Sequence, residues 1–84
     1  MTGLRINDSV RWHDSWSAEI GRRLHVHDSS NDLLIFDPGC GRDEIMDVIR
    51  SAPTDLYQLI DLEEAPESDC DFLADSGRCY RRLH

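Results

Sequence analysis

The chain has 84 residues, 39% of them hydrophobic, and carries 17 Asp plus Glu against 9 basic residues, all arginine, for a formal net charge of -8. That length makes a single small acidic domain over residues 1–84, with enough Leu, Ile and Val to separate it from disordered sequences. The excess of carboxylates disfavours direct nucleic-acid binding and docking on anionic lipid, both of which call for cationic side chains, and no apolar run approaches the roughly 20 residues that cross a bilayer.

Residues 4–12 alternate weakly and offer one strand. In residues 13–21, Asp14 or Ser15 can cap a short helical turn that Gly21 would stop, with a loop as the equal alternative. Leu24 and Val26 alternate with His25 and His27, the stretch from Asp28 to Asp32 is rich in turn formers, and residues 33–36 are continuously apolar. A hairpin or two neighbouring strands follows from that pattern, the second strand being the more buried. Pro38, Gly39 and Gly41 interrupt the run, after which Ile45, Ile49 and Ala52 share one helical face with Met46 beside them. Asp43 and Glu44 in the first turn and Arg50 in the last match the helix dipole, and Pro53 ends the segment, which predicts the main helix over about residues 42–51. Residues 56–62 favour a strand, although Leu56, Leu59 and Ile60 also fit helical spacing. An acidic link containing Pro66 leads to a short closing hairpin around Asp75, Ser76 and Gly77. The expected fold is α+β: a small antiparallel sheet of about four to five strands with one main helix packed on it.

Residues 33–41, an apolar strand ending in Asp37 and followed by Gly39-Cys40-Gly41 and a helix, resemble the cofactor loop of the methyltransferases that use S-adenosylmethionine. That resemblance implies backbone approach to the cofactor at Gly39 and Gly41 and a ribose-holding role for Asp61. Asp43 stands where the family has its third glycine, Pro38 lies inside the turn, and 23 residues after Asp61 are too few for a doubly wound sheet. The stretch is therefore read as a glycine turn joining a buried strand to a helix, and no cofactor is expected. A phosphate-binding P-loop is excluded because the chain has no lysine.

Three cysteines, Cys40, Cys70 and Cys79, are an odd number, and no secretory signal pattern opens the chain, so a reduced cytoplasmic setting is expected. Together with His84 they make a four-ligand zinc set only without the usual Cys-x-x-Cys anchor, and small buried thiols are the preferred reading. His25 and His27, on one face of a strand with Asp28 or His13 nearby, offer a weak alternative: a small metal-binding protein or enzyme. No catalytic residues stand out, because no nucleophile sits in a recognisable elbow.

The most informative feature is charge distribution. Residues 43–75 hold eleven acids and only Arg50, whereas Arg78, Arg81 and Arg82 follow without an acid. Asp61, Glu63, Glu64, Glu67, Asp69, Asp71 and Asp75 form an array suited to a basic protein or a nucleic-acid-binding protein complex. In size and charge the chain is similar to small phage-encoded inhibitors that occupy nucleic-acid channels. Trp12 and Trp16 are candidate interface anchors or core residues. The expected function is thus non-enzymatic binding of a basic macromolecular surface, as an inhibitor or adaptor and in one form a nucleic-acid mimic. Net charge that serves solubility alone is the competing explanation.

Overall fold

A computed structural model describes residues 1–83. Six strands, β1 (Thr2–Ile6), β2 (Val26–Ser30), β3 (Leu33–Phe36), β4 (Tyr57–Ala65), β5 (Phe72–Leu73) and β6 (Cys79–Arg82), form one sheet of order β2-β3-β1-β4-β6-β5. Every neighbouring pair is antiparallel. Two helices, α1 (Asp14–Arg23) and α2 (Arg42–Val48), cover one face.

The class is α+β, and the antiparallel sheet follows from the sequence patterns. The expected four to five strands and single helix are corrected to six strands and two helices. β5 has only two residues, too few for alternation to register, and it becomes a strand by pairing Phe72 with Tyr80 and Leu73 with Cys79. β1 starts at Thr2 and ends at Ile6 rather than running to Trp12. Asp8 explains the early end: its carboxylate accepts from the Val10 and Arg11 amides at 3.1 and 3.2 Å, turning the chain out of the sheet.

α1 extends past Gly21 to Arg23. An exposed glycine in a helix costs about 1 kcal/mol relative to alanine, less than the roughly 1.5–3 kcal/mol gained by burying an Ile or Leu side chain. Ile20 is 1% exposed, so its burial outweighs the glycine beside it. Asp14 in the first turn and Arg22 and Arg23 in the last complement the dipole, and His13 is the N-cap, its Nδ1 accepting from the Ser15 amide at 3.2 Å. α2 stops at Val48, three residues short of the expected end. The Ala52 amide bonds the Ile49 carbonyl at 2.8 Å in a tighter turn, and a residue preceding proline is driven out of the α region, here by Pro53.

The sheet buries both faces. Leu4 of β1, Phe36 of β3 and Tyr57 of β4 join Ile20, Ile45, Ile49, Ala52, Leu56 and Trp12 in a core under the helices. Because side chains alternate along a strand, Leu33, Ile35, Ile60 and Leu62 point the other way and meet Tyr80 and Ala74 in a second core. Gly3 belongs to that second face: a Cβ there would lie 2.8 Å from Leu62 Cδ1 and 3.2 Å from Leu33 Cδ1. The glycine lets the central strand sit close under the curled sheet.

Curling brings the two ends of the sheet together. The Asp75 amide in the β5–β6 turn donates to the Ser29 carbonyl of β2 at 2.7 Å. The fully buried Tyr80 donates its hydroxyl to Asp28 Oδ2 at 2.8 Å, and Ser76 Oγ donates to the same oxygen at 2.6 Å. Asp28 thus works as a clasp between β2 and the β5–β6 hairpin. Burial pushes its carboxyl pKa up, but hydrogen bonds from Ser76, Tyr80 and the Ser29 amide, with the charge of Arg78, outweigh burial and leave it below the usual 3.8. Burial first, and then the bond to Asp28, push Tyr80 up to about 12.

These shifts fix the sign of two limbs of the stability profile. A carboxyl with a lowered folded pKa stabilises the fold above its unfolded value and loses that contribution as pH falls through the folded value. The thermal midpoint should therefore drop below the usual 3.8 of Asp28. A phenol with a raised folded pKa stabilises below its unfolded value, so a second drop should follow as pH climbs from 10.0 to about 12. Thermal melts of wild type and Asp28→Asn across both ranges check this. The substitution should flatten the acid limb, and an unchanged acid limb would show that Asp28 is not its source.

Candidate interaction face

The acidic array of residues 61–75 divides into two groups. On β4, Asp61 is 3.2 Å from Arg42, the first residue of α2. Glu63 is paired with Arg81, its direct cross-strand neighbour on β6, and Glu64 lies 3.9 Å from Arg78. Register explains this pairing, since residues opposite one another in an antiparallel ladder share a face. Such exposed pairs add only about 0–1 kcal/mol to stability, yet they cancel charge locally.

The second group lies beyond Pro66, where the chain leaves β4 and crosses β6 to reach β5. A single 3-10 turn, Glu67–Asp69, forms the middle of this crossover, held by the Asp69 amide on the Pro66 carbonyl at 2.9 Å. Glu67, Asp69, Asp71 and Asp75 are all exposed, and among the described residues none has an arginine within salt-bridge distance. Asp71 Oδ2 accepts from the Arg82 backbone amide at 2.9 Å, and Asp75 Oδ2 accepts from Ser29 Oγ at 3.4 Å. Both bonds fix position and leave the negative charge in place. Asp8, Asp14, Asp32, Asp43 and Glu44 also lack an arginine partner there, but they are spread over several loops and helix starts. The densest uncompensated set is residues 67–75.

Leu73 stands inside this set. It is 62% exposed on β5, an edge strand that pairs on one side only, with β6. An open strand edge with an apolar side chain invites association, and flanking carboxylates restrict what approaches it. The face therefore combines a small apolar contact, free backbone groups and a negative rim. The spacing of the acids was visible in the sequence; the exposure of Leu73 was not, because alternation in so short a strand does not say which side faces water.

Compared with known protein families, curated proteins and solved structures, the chain matches none.

The other sequence candidates occupy different places. Trp12 is 8% exposed and packs edge-on against Trp16, with ring centroids 5.0 Å apart, and against Tyr57 at 6.4 Å. Its indole donates to Ser17 Oγ at 2.9 Å. Trp16 is half-buried, and its indole donates to Ser51 Oγ at 3.0 Å, tying α1 to the chain after α2. Both tryptophans belong to the helix-side core and its border, away from the crossover.

His25 and His27 converge on Asp37, not on Asp28 or His13. The Nδ1 of His25 bonds Asp37 Oδ2, and the Nδ1 of His27 lies 3.2 Å from Oδ1. A register irregularity between Val26 and Asp28 places His27 in a bulge of β2. Among the described residues no three His, Cys, Asp or Glu side chains come together as a metal-binding group. Cys40 borders the same region beside His25, Asp37 and Glu44. Burial, then the charges of Glu44 and Asp37, push its thiol up and disfavour the nucleophilic thiolate. His84, the fourth member of the zinc set, lies outside the described residues. The glycine turn after β3 joins antiparallel strands to α2. The crevice at the carboxyl ends of parallel strands that the methyltransferase resemblance implies is therefore missing, and Asp61 pairs with Arg42 instead.

Proposed function

We propose that this protein is a non-enzymatic binding module that docks on a basic macromolecular surface, acting as an inhibitor or adaptor. The observation that supports the reading is the uncompensated set Glu67, Asp69, Asp71 and Asp75 around exposed Leu73. Seven of the nine arginines lie within 4.0 Å of a carboxylate, so negative potential is best preserved where the acids have no arginine among the described residues within salt-bridge distance. A partner rich in Arg and Lys, such as the nucleic-acid-binding face of a protein complex, complements that rim, while a pocket for Leu73 would supply the contact that slows dissociation. Mimicry of a nucleic-acid backbone is the narrower form of the same function.

The experiment is capture of partners on immobilised protein at low and moderate salt. A supporting result is a basic partner retained by wild type and by the Glu63→Gln/Arg81→Gln double variant, but lost when the four uncompensated acids become Gln and Asn. Retention by the fourfold variant, or no basic partner at either salt, would overturn the proposal.

A further inference from the structure

The seam where the curled sheet meets itself is closed at one end and open at the other. At the closed end the Asp75 amide bonds the Ser29 carbonyl of β2 at 2.7 Å, and Asp28 holds Ser76 and Tyr80. At the open end lies a cavity of about 160 Å³, lined by Phe72 of β5 together with Arg5, Ser30, Asn31, Asp32 and Leu33. The register of β5 shows which backbone groups reach this opening. Phe72 stands opposite Tyr80 and Leu73 opposite Cys79, and the Ala74 amide bonds the Arg78 carbonyl at 2.9 Å. Bonded and non-bonded pairs alternate along an antiparallel ladder. Ala74 with Arg78 and Phe72 with Tyr80 are therefore the bonded pairs, and the N–H and C=O of Leu73 point away from β6. The Asp75 amide is taken by Ser29 and the Asp71 amide by the Tyr80 carbonyl at 2.9 Å. Leu73 is thus the residue of this edge whose donor and acceptor both face outward unused.

We infer that the β5 edge receives an added strand, an extended segment of a basic protein that pairs its backbone with Leu73 and carries Arg or Lys two positions before and two after the paired residue. The choice of a basic protein rests on the docking reading above; the extended conformation and the spacing rest on the edge. Strand addition draws affinity from main-chain bonds and selectivity from alternate side chains. Asp71 and Asp75 lie two positions either side of Leu73, and all three are exposed, whereas Ala74 is buried and Phe72 half-buried. That alternation sets the three exposed residues on one face. A paired segment then brings its own alternate residues opposite the two carboxylates, where opposite charge is favoured. The residues between them fall on the side of Phe72, which lines the cavity with Arg5. Among the described residues Arg5 has no carboxylate within 4.0 Å, so a further cation is disfavoured there. The segment is therefore basic at its outer positions and uncharged on either side of the central one. A second copy of this chain does not fit, because pairing two β5 edges about Leu73 sets Asp71 against Asp75, and like charges directly opposed destabilise.

The test titrates the isotope-labelled wild-type protein at low salt with three peptides of equal charge. The first is acetyl-Thr-Arg-Thr-Val-Thr-Arg-Thr-amide, and the second is the same peptide N-methylated at Val. The third has its arginines moved together, as acetyl-Thr-Thr-Val-Arg-Arg-Thr-Thr-amide. The first peptide should bind saturably, show nuclear Overhauser contacts between the Leu73 amide and Val, and slow hydrogen exchange at Leu73. N-methylation keeps the charge and removes one donor, and should weaken binding by roughly tenfold, the scale of one net hydrogen bond. The third peptide should bind about as weakly. Either control binding as tightly as the first peptide, with shifts over residues 67–75, would overturn strand addition and leave the docking reading standing. No shift in residues 67–75 with any peptide would overturn both. Concentration-dependent dimers in sedimentation, with Leu73 protected before any peptide is added, would make a second copy the occupant and overturn the proposal as well. Because only the peptides change, no variant protein has to fold.

Discussion

Tyr80→Ala is expected to lower the unfolding free energy by about 3–5 kcal/mol, the usual cost of deleting a large buried aromatic. For a small domain that is comparable with its whole stability. Tyr80 is fully buried, fills the second core beside Leu33, Ile35, Ile60 and Leu62, and holds Asp28 across the closure of the sheet. Tyr80→Phe separates the two contributions: it keeps the ring and removes the hydroxyl, for a loss of about 1–2 kcal/mol. Asp28→Ala should cost about as much, because it leaves the Tyr80 and Ser76 hydroxyls without their acceptor. In the Tyr80→Phe/Asp28→Ala double variant the losses should fall short of the sum, as expected for groups that share one bond. Urea unfolding of the four proteins measures this. Strict additivity would mean that the clasp contributes no coupling, and a cost under about 1 kcal/mol for Tyr80→Ala would contradict the assignment of Tyr80 to the core.

Neutralising Glu67, Asp69, Asp71 and Asp75 together should slow association with a basic partner by about 10- to 100-fold at low salt, since electrostatic steering changes encounter rates on that scale. The effect should shrink as salt rises and screening shortens the reach of the field. Removing whole pairs, as in Glu63→Gln/Arg81→Gln, leaves net charge unchanged and should alter the association rate little. Leu73→Ala should act differently, speeding dissociation by roughly tenfold with little change in association, because a truncated apolar anchor loses contact and not steering. Stopped-flow association at two salt concentrations, with dissociation followed separately, resolves the two effects. Equal slowing by the pair-deleting control would show that individual contacts on β4, and not uncompensated charge, govern recognition.

Strong local signals were legible in the sequence. The continuous apolar run of β3 and the acids in the first turn of α2 lie close to their expected places, whereas Asp28, Ser29 and Ser30, read as turn formers, belong to β2 and leave Asn31 and Asp32 for the turn, and Arg50 falls beyond the end of α2. Weak or short signals were not. α1 contains a glycine and few apolar residues, and it is held mainly by Ile20, Trp16 and contacts with the rest of the core. β5 exists through its partner strand. The functional face was half legible: the run of acids is evident, but which acids keep their charge depends on register. Glu63 meets Arg81 because β4 and β6 align those positions, and Asp61 meets Arg42 across the helix-side face. Asp28 and Tyr80 are 52 positions apart, a separation at which no periodicity in the chain could have joined them. The convergence of His25 and His27 on Asp37 likewise depends on hairpin pairing and a bulge, neither of which residue spacing specifies.

Uncompensated negative charge is concentrated on the crossover and the β5 edge. The most direct measurement is the amide NMR spectrum of the native protein during titration with a short oligoarginine peptide at low salt. Saturable shifts centred on residues 67–75, suppressed by added salt and absent from the fourfold neutralised variant, are the predicted result. Shifts centred on β4 at Asp61, Glu63 and Glu64, or spread evenly over the loops and helix starts, would contradict the account.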